Sequence, residues 1–530
     1  MAIPVVDIFA GPGGLGEGFS ALLSDTREKV FKIVLSIEKD EIAHKTLTLR
    51  SFFRQFDFDK VPEDYYEFVK GKITLEELYK KWPKEAGLAK EESWQATLGK
   101  VSNGEVDAKI EESLNGRKDW LLIGGPPCQA YSLVGRSRRQ ETVLDGRKDK
   151  RVGLYKQYLR ILAVHNPAVF VMENVKGLLS AETNSSPIFP KILKDLSNPV
   201  AAYLSEFGQN GRQLVCPGYK IYSLTAKPEG LDENDNPIFQ QEDFVIKAEK
   251  YGVPQTRHRV ILLGIRNGIN ISPEILLSTD EIPISRILSG LPRLRSGLSK
   301  TKDSDDKWET IVGQILNNNA LKGADKLVKE RIQSSIDKIV TPQKGKGAEY
   351  IEYNTSIDYK SGWFLDQRLK GVCNHISRGH MDSDIYRYLF VSCFAKIHRR
   401  SPKLEDFPEA LLPEHENVKE GVDDRKFADR FRVQLWNQPA KTITSHISKD
   451  GHYYIHPDPT QCRSFTVREA ARIQTFPDNY FFCGPRTSQF IQVGNAVPPL
   501  LANSIAKILY KAIKKSNEGS RKHTERIAYV

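Results

Sequence analysis

The residues able to do chemistry stand where short apolar runs stop. Asp119-Trp120-Leu121-Leu122-Ile123 is such a run, and it ends in Gly124-Gly125-Pro126-Pro127-Cys128-Gln129-Ala130-Tyr131-Ser132. Read as a buried strand entering a proline-stiffened loop, it puts a thiol at a strand's carboxyl end, where open α/β sheets hold their ligands. A thiol there can be a nucleophile, although a lone Pro-Cys is more often inert apolar packing. A second run, Ala168-Val169-Phe170-Val171-Met172, delivers Glu173-Asn174-Val175 in the same way. Glu173 can therefore face the crevice that Cys128 faces, or simply cap or pair. Gln255-Thr256-Arg257-His258-Arg259 leads into Val260-Ile261-Leu262-Leu263-Gly264-Ile265. In an extended segment Arg257 and Arg259 point the same way, with His258 a bystander between them. Taken singly, such an arginine pair is more often a surface feature.

Two elements at the amino terminus would position a cofactor near these groups. Val5 to Phe9 reads as a strand, followed by Ala10-Gly11-Pro12-Gly13-Gly14-Leu15-Gly16, whose Gly11, Gly13 and Gly16 fit G-x-G-x-x-G. Glycines there let the backbone approach a ligand, and the helix start offers free N–H groups. The next apolar run, Ile33-Val34-Leu35-Ser36-Ile37, ends in Glu38, about 20 residues further on, where a carboxylate can bond ribose hydroxyls. This pattern alone suits a nicotinamide dinucleotide and S-adenosylmethionine equally.

Composition sets broad limits. The chain has 530 residues, 39% hydrophobic and 27% charged, enough for two or three globular domains. Its 78 Lys and Arg against 67 Asp and Glu leave +11, which favours an anionic partner such as nucleic acid. The six cysteines form no Cys-x-x-Cys pair, and the His and Cys residues between 373 and 398 have no zinc spacing, so no metal and no disulfide framework are expected. No apolar run approaches the roughly 18 residues of a membrane span, and the amino terminus has no secretory pattern, so a cytoplasmic protein is expected. Behind Cys128, Arg136, Arg138, Arg139, Arg147, Lys148, Lys150 and Arg151 form a basic stretch suited to closing on a phosphate backbone.

Pro-Pro-Cys-Gln, the glycine-rich start, Glu-Asn-Val, Gln-x-Arg-x-Arg and a late Gly494-Asn495-Ala496-Val497-Pro498-Pro499 occur in an order that resembles the DNA (cytosine-5)-methyltransferases, over residues 4 to about 265 and about 437 to 510. The resemblance implies an α/β fold: a Rossmann-like, mainly parallel sheet binding S-adenosylmethionine, with a second, target-recognition domain. It makes Cys128 the nucleophile that attacks C6 of a cytosine flipped out of the duplex. Glu173 would act at N3, with Arg259 or Arg257 stabilising charge at O2. It assigns Phe9, Ala10, Gly11, Gly13, Gly14, Glu38, Pro126, Asn495 and Ala496 to the cofactor, and Gln129, Ser132, Arg136 and Thr444 to DNA. The family's small acidic motif has its best counterpart in Leu98-Gly99-Lys100.

The expected organisation is a catalytic core over 1–265 with helices inserted at about 51–97, a target-recognition domain over 266–440, a return to the core over 441–512, and a frayed basic tail over 513–530. Within 266–440, Asn374, Arg378, Arg387 and Tyr388 are candidate phosphate or base contacts or surface pairs. Thr466 and Glu469 have the spacing of a capping box. The implied role is sequence-specific methylation of double-stranded DNA by a monomer, in a restriction system with a cognate endonuclease. An RNA (tRNA) cytosine-5 methyltransferase and a catalytically inactive DNA-binding regulator are the alternatives.

Overall fold

The computed structural model describes residues 2–127, 152–183, 186–208, 214–317, 319–339, 344–413, 431–449 and 451–527, with side chains to residue 515 in the last stretch. Cys128, Gln129, Ser132 and Arg136 lie outside the described residues. The main sheet is built, in chain order, from β1 (Ile3–Ile8), β2 (Phe31–Glu38), β3 (Ser93–Gln95), β4 (Leu121–Gly124), β5 (Val169–Val175), β6 (Tyr219–Tyr222), β7 (Val245–Lys247) and β8 (His258–Arg266). Its spatial order is β7-β8-β5-β4-β1-β2-β3, with β6 also on β8. Strands β1 to β5 pair in parallel. β8 runs antiparallel to β5, β6 and β7.

Alternate side chains of these strands enter two cores, as the period of two requires. Val6, Ile8, Leu122, Phe170 and Met172 pack on one face against α3 (Asn103–Leu114) and α4 (Val152–His165). Val5, Leu121, Ile123, Val169 and Val171 pack on the other against α1 (Gly14–Ser20) and the carboxyl-terminal helix α8 (Pro499–Ile527). Each fully buried branched side chain contributes roughly 1.5–3 kcal/mol, so this alternation fixes the register of the sheet.

Between β2 and β3 lie α2 (Glu41–Arg54) and the shorter helices Glu63–Val69, Leu75–Lys81 and Pro83–Glu92, in the place read as a helical insertion. They have an aromatic core of their own, with Phe52, Tyr65 and Tyr66 fully buried. The stretch 266–440 does not pack as one unit. Its residues from Ile282 to Leu291 and from Ile357 to Val372 share a core with Ala440 to Leu500. Trp308, Val328 and α5 (Asp382–His398) form a separate core that extends to Phe431, Ile455 and Cys462. The chain re-enters the main body where Ala440–Lys441 pairs in parallel with Gln255–Thr256. α6 (Val467–Ile473) begins with the capping box read from Thr466 and Glu469. α7 (Arg486–Asn495) leads into α8, whose backbone stays helical to Ile527. The basic segment expected to fray therefore prolongs a helix, and its many Lys, Arg and Glu are good helix formers.

Candidate active site

The carboxyl ends of β1 to β5 open on one rim, where a cavity of about 420 Å³ lies. At the end of β1 the chain turns sharply at Phe9 (φ 57°) and Gly11 (φ 57°). Nothing lies within 4 Å of the point where a Cβ on Gly11 would stand, so the turn's open side is the cavity. Glu38 holds this turn: its carboxylate accepts from the Gly11 N–H and the Asp40 N–H, both at 2.8 Å. Asp40 in turn caps α2. Phe9, Ala10, Gly11, Glu38, Pro126, Asn495 and Ala496, all expected at the cofactor, line the cavity together.

Gly13 and Gly14 stand behind the turn rather than on the cavity wall. A Cβ on Gly13 would meet Leu47 at 2.8 Å, and one on Gly14 would stand 2.3 Å from the Val497 carbonyl oxygen. Their missing side chains let α1 approach α2 and the segment before α8. The Tyr480 hydroxyl, bonded to the Pro12 carbonyl, pins the turn from the same side.

Glu173 and Arg259 meet on the opposite wall. Register places Arg259 across from Val175, so the Arg259 side chain reaches back over the end of β5. Its Nε lies 3.0 Å from Glu173 Oε1, with the two side chains 18% and 14% exposed. Arg259 Nη1 donates to the His258 carbonyl at 2.8 Å, and Nη2 has no hydrogen-bond partner among the described residues. Gly125 makes room for this pair: a Cβ there would stand 3.0 Å from Glu173 Oε2. The Asn174 side chain donates to the Pro126 carbonyl at 3.3 Å, tying the loop that leads to Cys128 to the strand that carries Glu173.

Arg257 and Arg259 both border the cavity but have different partners. The Arg257 guanidinium is buried and donates to the main-chain carbonyls of Ile443 (2.8 Å), Gly494 (3.3 Å) and Ala496 (3.0 Å). Burial, and then the neighbouring Arg259, hold its pKa below the ordinary arginine range. Between them, His258 turns aside to Glu249, 2.8 Å away. Thr444 lies in an adjoining recess with Thr256, Arg432, Lys441 and His446, next to the cavity rather than in it.

Several wall residues were not singled out from the sequence. Ala96 and Thr97 after β3 line the cavity, as do Ser488, Ile491 and Gln492 of α7; Leu98 beside them belongs to the Leu98-Gly99-Lys100 stretch read as the counterpart of the family's small acidic motif. Asp7, fully buried in the middle of Val5-Val6-Asp7-Ile8, also borders it, and neither carboxyl oxygen accepts a well-formed hydrogen bond. Burial pushes the Asp7 carboxyl up to about 8, outweighing the pull of Arg54 and of the nearby Gly16 amide. A carboxyl between two valines and an isoleucine is itself the signal that could have marked it.

The candidate nucleic-acid contacts within 266–440 serve packing instead. Asn374 and Tyr388 are fully buried; Asn374 bonds Glu349 and Phe482, and the Tyr388 hydroxyl bonds His452. Arg378 donates to the Ile447 carbonyl and stacks 4.5 Å over the Phe490 ring. Arg387 donates to the Leu411 carbonyl and pairs with Asp384. A polar residue in an apolar setting looks the same in sequence whether it faces DNA or a main-chain carbonyl.

A family model described as C-5 cytosine-specific DNA methylase matches residues 82–199 and 239–511. The chain is 32% identical over 532 residues to type II methyltransferase M.Bpa9945I of Bacillus paralicheniformis, covering 96% of this chain and 99% of that one. It is 24% identical to type II methyltransferase M.DdeI of Desulfomicrobium norvegicum, over 95% of this chain and 87% of the relative. It is 25% identical to DNA (cytosine-5-)-methyltransferase M.ApeKI of Aeropyrum pernix, over 77% and 84%. With a mainly parallel sheet, a glycine turn held by Glu38, and Glu173 with Arg259 facing the same cavity, the chain belongs to the C-5 cytosine-specific DNA methylase family.

Proposed function

We propose that this enzyme is the modification methylase of a type II restriction system, acting on one cytosine of a specific duplex sequence. Membership of the family makes it a DNA (cytosine-5)-methyltransferase that uses S-adenosylmethionine. The cavity suits such a cofactor. Gly11 leaves its open side free of any side chain, the Glu38 carboxylate stands at the end of β2, and Asp7 supplies a buried carboxyl without a well-formed partner at the cavity's border. Phe9, Ala10, Gly11, Glu38, Pro126, Asn495 and Ala496 would hold it. Bound there, the cofactor supplies an electrophilic methyl group.

The observation that carries the reading is the Glu173–Arg259 pair, which lies against Gly125 and on the wall facing the cofactor turn. Cytosine C5 is a poor nucleophile. Addition of the Cys128 thiolate to C6 moves electron density to C5, N3 and O2, and so divides one hard step into easier ones. Glu173 shares a proton with N3, and Arg259 Nη2 is the donor for O2, where negative charge develops. Arg257, with both Nη groups committed to carbonyls, supports this arrangement from behind. After C5 has taken the methyl, its proton leaves to a base and Cys128 is expelled, restoring the ring. The target base must leave the duplex, at a cost of a few kcal/mol that pocket and backbone contacts offset. Gln129, Ser132, Arg136 and Thr444 are proposed to touch DNA; the recess beside Thr444, with Lys441 and Arg432, has the charge for a phosphate backbone.

Among the described residues no helix is long and apolar enough to cross a membrane. We place the enzyme in the cytoplasm, as a monomer on its DNA, with a cognate endonuclease cutting the same sequence. The experiment is transfer of labelled methyl from S-adenosylmethionine to duplex DNA and to structured tRNA, followed by bisulfite sequencing. One modified cytosine in a fixed duplex sequence supports the reading, and label on tRNA alone overturns it. Resistance of the modified plasmid to an endonuclease of that specificity tests the restriction role.

A further inference from the structure

The junction between the DNA-side recess and the cofactor wall is made by two side chains from one short segment. Gln255 is fully buried. Its Oε1 accepts from the Ile443 N–H at 2.9 Å, and its Nε2 donates to the Ile473 carbonyl at 3.1 Å and to Gln474 Oε1. Arg257, two residues on, donates to the Ile443 carbonyl and to the carbonyls of Gly494 and Ala496. Both main-chain polar groups of Ile443 are thus held from β8's approach segment. Ala496 is held by Arg257 and by Gln474. Main-chain pairing of Gln255–Thr256 with Ala440–Lys441, and the Thr442 hydroxyl on the Thr256 carbonyl at 2.6 Å, complete the joint. Thr442 and Thr444, on either side of Ile443, line the recess; Gly494, Asn495 and Ala496 line the cofactor cavity. Ser445 presses on Gly494, whose Cβ would stand 2.2 Å from the Ser445 nitrogen, so neither segment can shift without the other.

We infer that Gln255 and Arg257 are positioning residues that lock segment 441–446 and segment 494–497 into one register, so that DNA and cofactor bind with positive coupling. The inference rests on the reading that the recess beside Thr444 faces DNA. Buried charge-assisted bonds to carbonyls are stiff, and truncating either side chain strands buried main-chain groups that no water can reach. A ligand that fixes one wall therefore leaves less disorder for the other ligand to remove. By reciprocity the coupling factor is the same whichever ligand is added first.

The test measures the affinity of the full-length protein for S-adenosylhomocysteine, which allows no turnover, with and without a saturating duplex carrying the methylated site. The wild type should bind it more tightly with DNA, by a factor within the range of about 5 to 150 typical of coupled sites. Gln255→Leu, which keeps the volume and loses the bonds, and Arg257→Lys, which keeps the charge and loses the fork, should bring that factor to within about twofold of one. Each should still bind either ligand alone. If a variant fails to fold, Thr442→Val removes only the bond to the Thr256 carbonyl and should lower the factor part way. An undiminished factor in folded variants overturns the joint. A wild type without coupling overturns it as well, and a wild type that binds no duplex removes the reading beneath it, a result visible in the DNA titration alone.

Discussion

Replacing Arg259 by alanine separates a structural from a chemical role for the ion pair. At 3.0 Å, two unit charges in a partly shielded protein site attract by about 5 kcal/mol before the cost of desolvation. Both side chains retain some exposure, so the net value of the pair is smaller, and it is Glu173 that is left without a counter-charge. Loss of the O2 donor should cost about 10²–10³ in kcat, equivalent to roughly 2.7–4 kcal/mol of transition-state stabilisation. The assay is single-turnover methyl transfer to duplex DNA, alongside cofactor affinity by calorimetry. Arg259→Lys should recover part of the rate, as a point charge without the guanidinium's planar fork. A rate within threefold of wild type would refute the assignment, as would a loss confined to KM.

Asp7 makes the cofactor-free protein less stable as pH rises. Its folded value of about 8 stands above its ordinary value of 3.8, so between these pH values the folded state keeps a proton the unfolded chain has lost, at about 1.4 kcal/mol per pH unit. Asp7→Asn should remove that slope: its melting temperature should gain on wild type by a few degrees between pH 5.5 and 7.5, and parallel melts would sink the idea. Gly14→Ala must push the Val497 carbonyl aside from 2.3 Å, a clash expected to cost about 1–3 kcal/mol and to weaken cofactor binding through the displaced wall, checked by calorimetry and melting. Thr466→Ala loses the cap on Glu469 N–H (3.2 Å) and the bond to His375 (2.8 Å), so about 1–2 kcal/mol and about one to two degrees of melting temperature should be lost, while Thr466→Ser should restore most of both.

The parts of this architecture that rest on local patterns were legible in the chain. Val5 to Phe9, residues 119–123 and residues 168–172 are apolar runs bounded by turn residues, and each is or contains part of a central parallel strand of the sheet. The capping box of Thr466 and Glu469 could be read because a cap involves only four consecutive residues. Glu38 and Gly11 were legible as a pair because the distance between them is set by one βαβ unit. Partners far apart in sequence were not. Arg257 and Arg259 share a motif and an extended backbone, yet the carbonyls of Ile443 and Ala496, which claim Arg257, come from segments about 190 and 240 residues away. Asn374 and Tyr388 were read as possible surface contacts because polarity does not report burial, which here depends on Phe482 and His452. The carboxyl-terminal segment was read as frayed from its charge, whereas α8 inherits its direction from the apolar turns of Leu501, Ile505 and Leu509 packed on α1.

Whether Cys128 attacks a cytosine in this cavity, with Glu173 and Arg259 beside it, is decided by covalent trapping on a duplex carrying 5-fluorocytosine at the modified position. Fluorine at C5 cannot leave as a proton does, so the enzyme should remain attached after methyl transfer. The expected band is stable to denaturation, requires S-adenosylmethionine, disappears in Cys128→Ser and forms far more slowly in Arg259→Ala. A band that persists in Cys128→Ser would exclude Cys128 as the nucleophile, and trapping on structured RNA with none on duplex DNA would exclude DNA as the substrate.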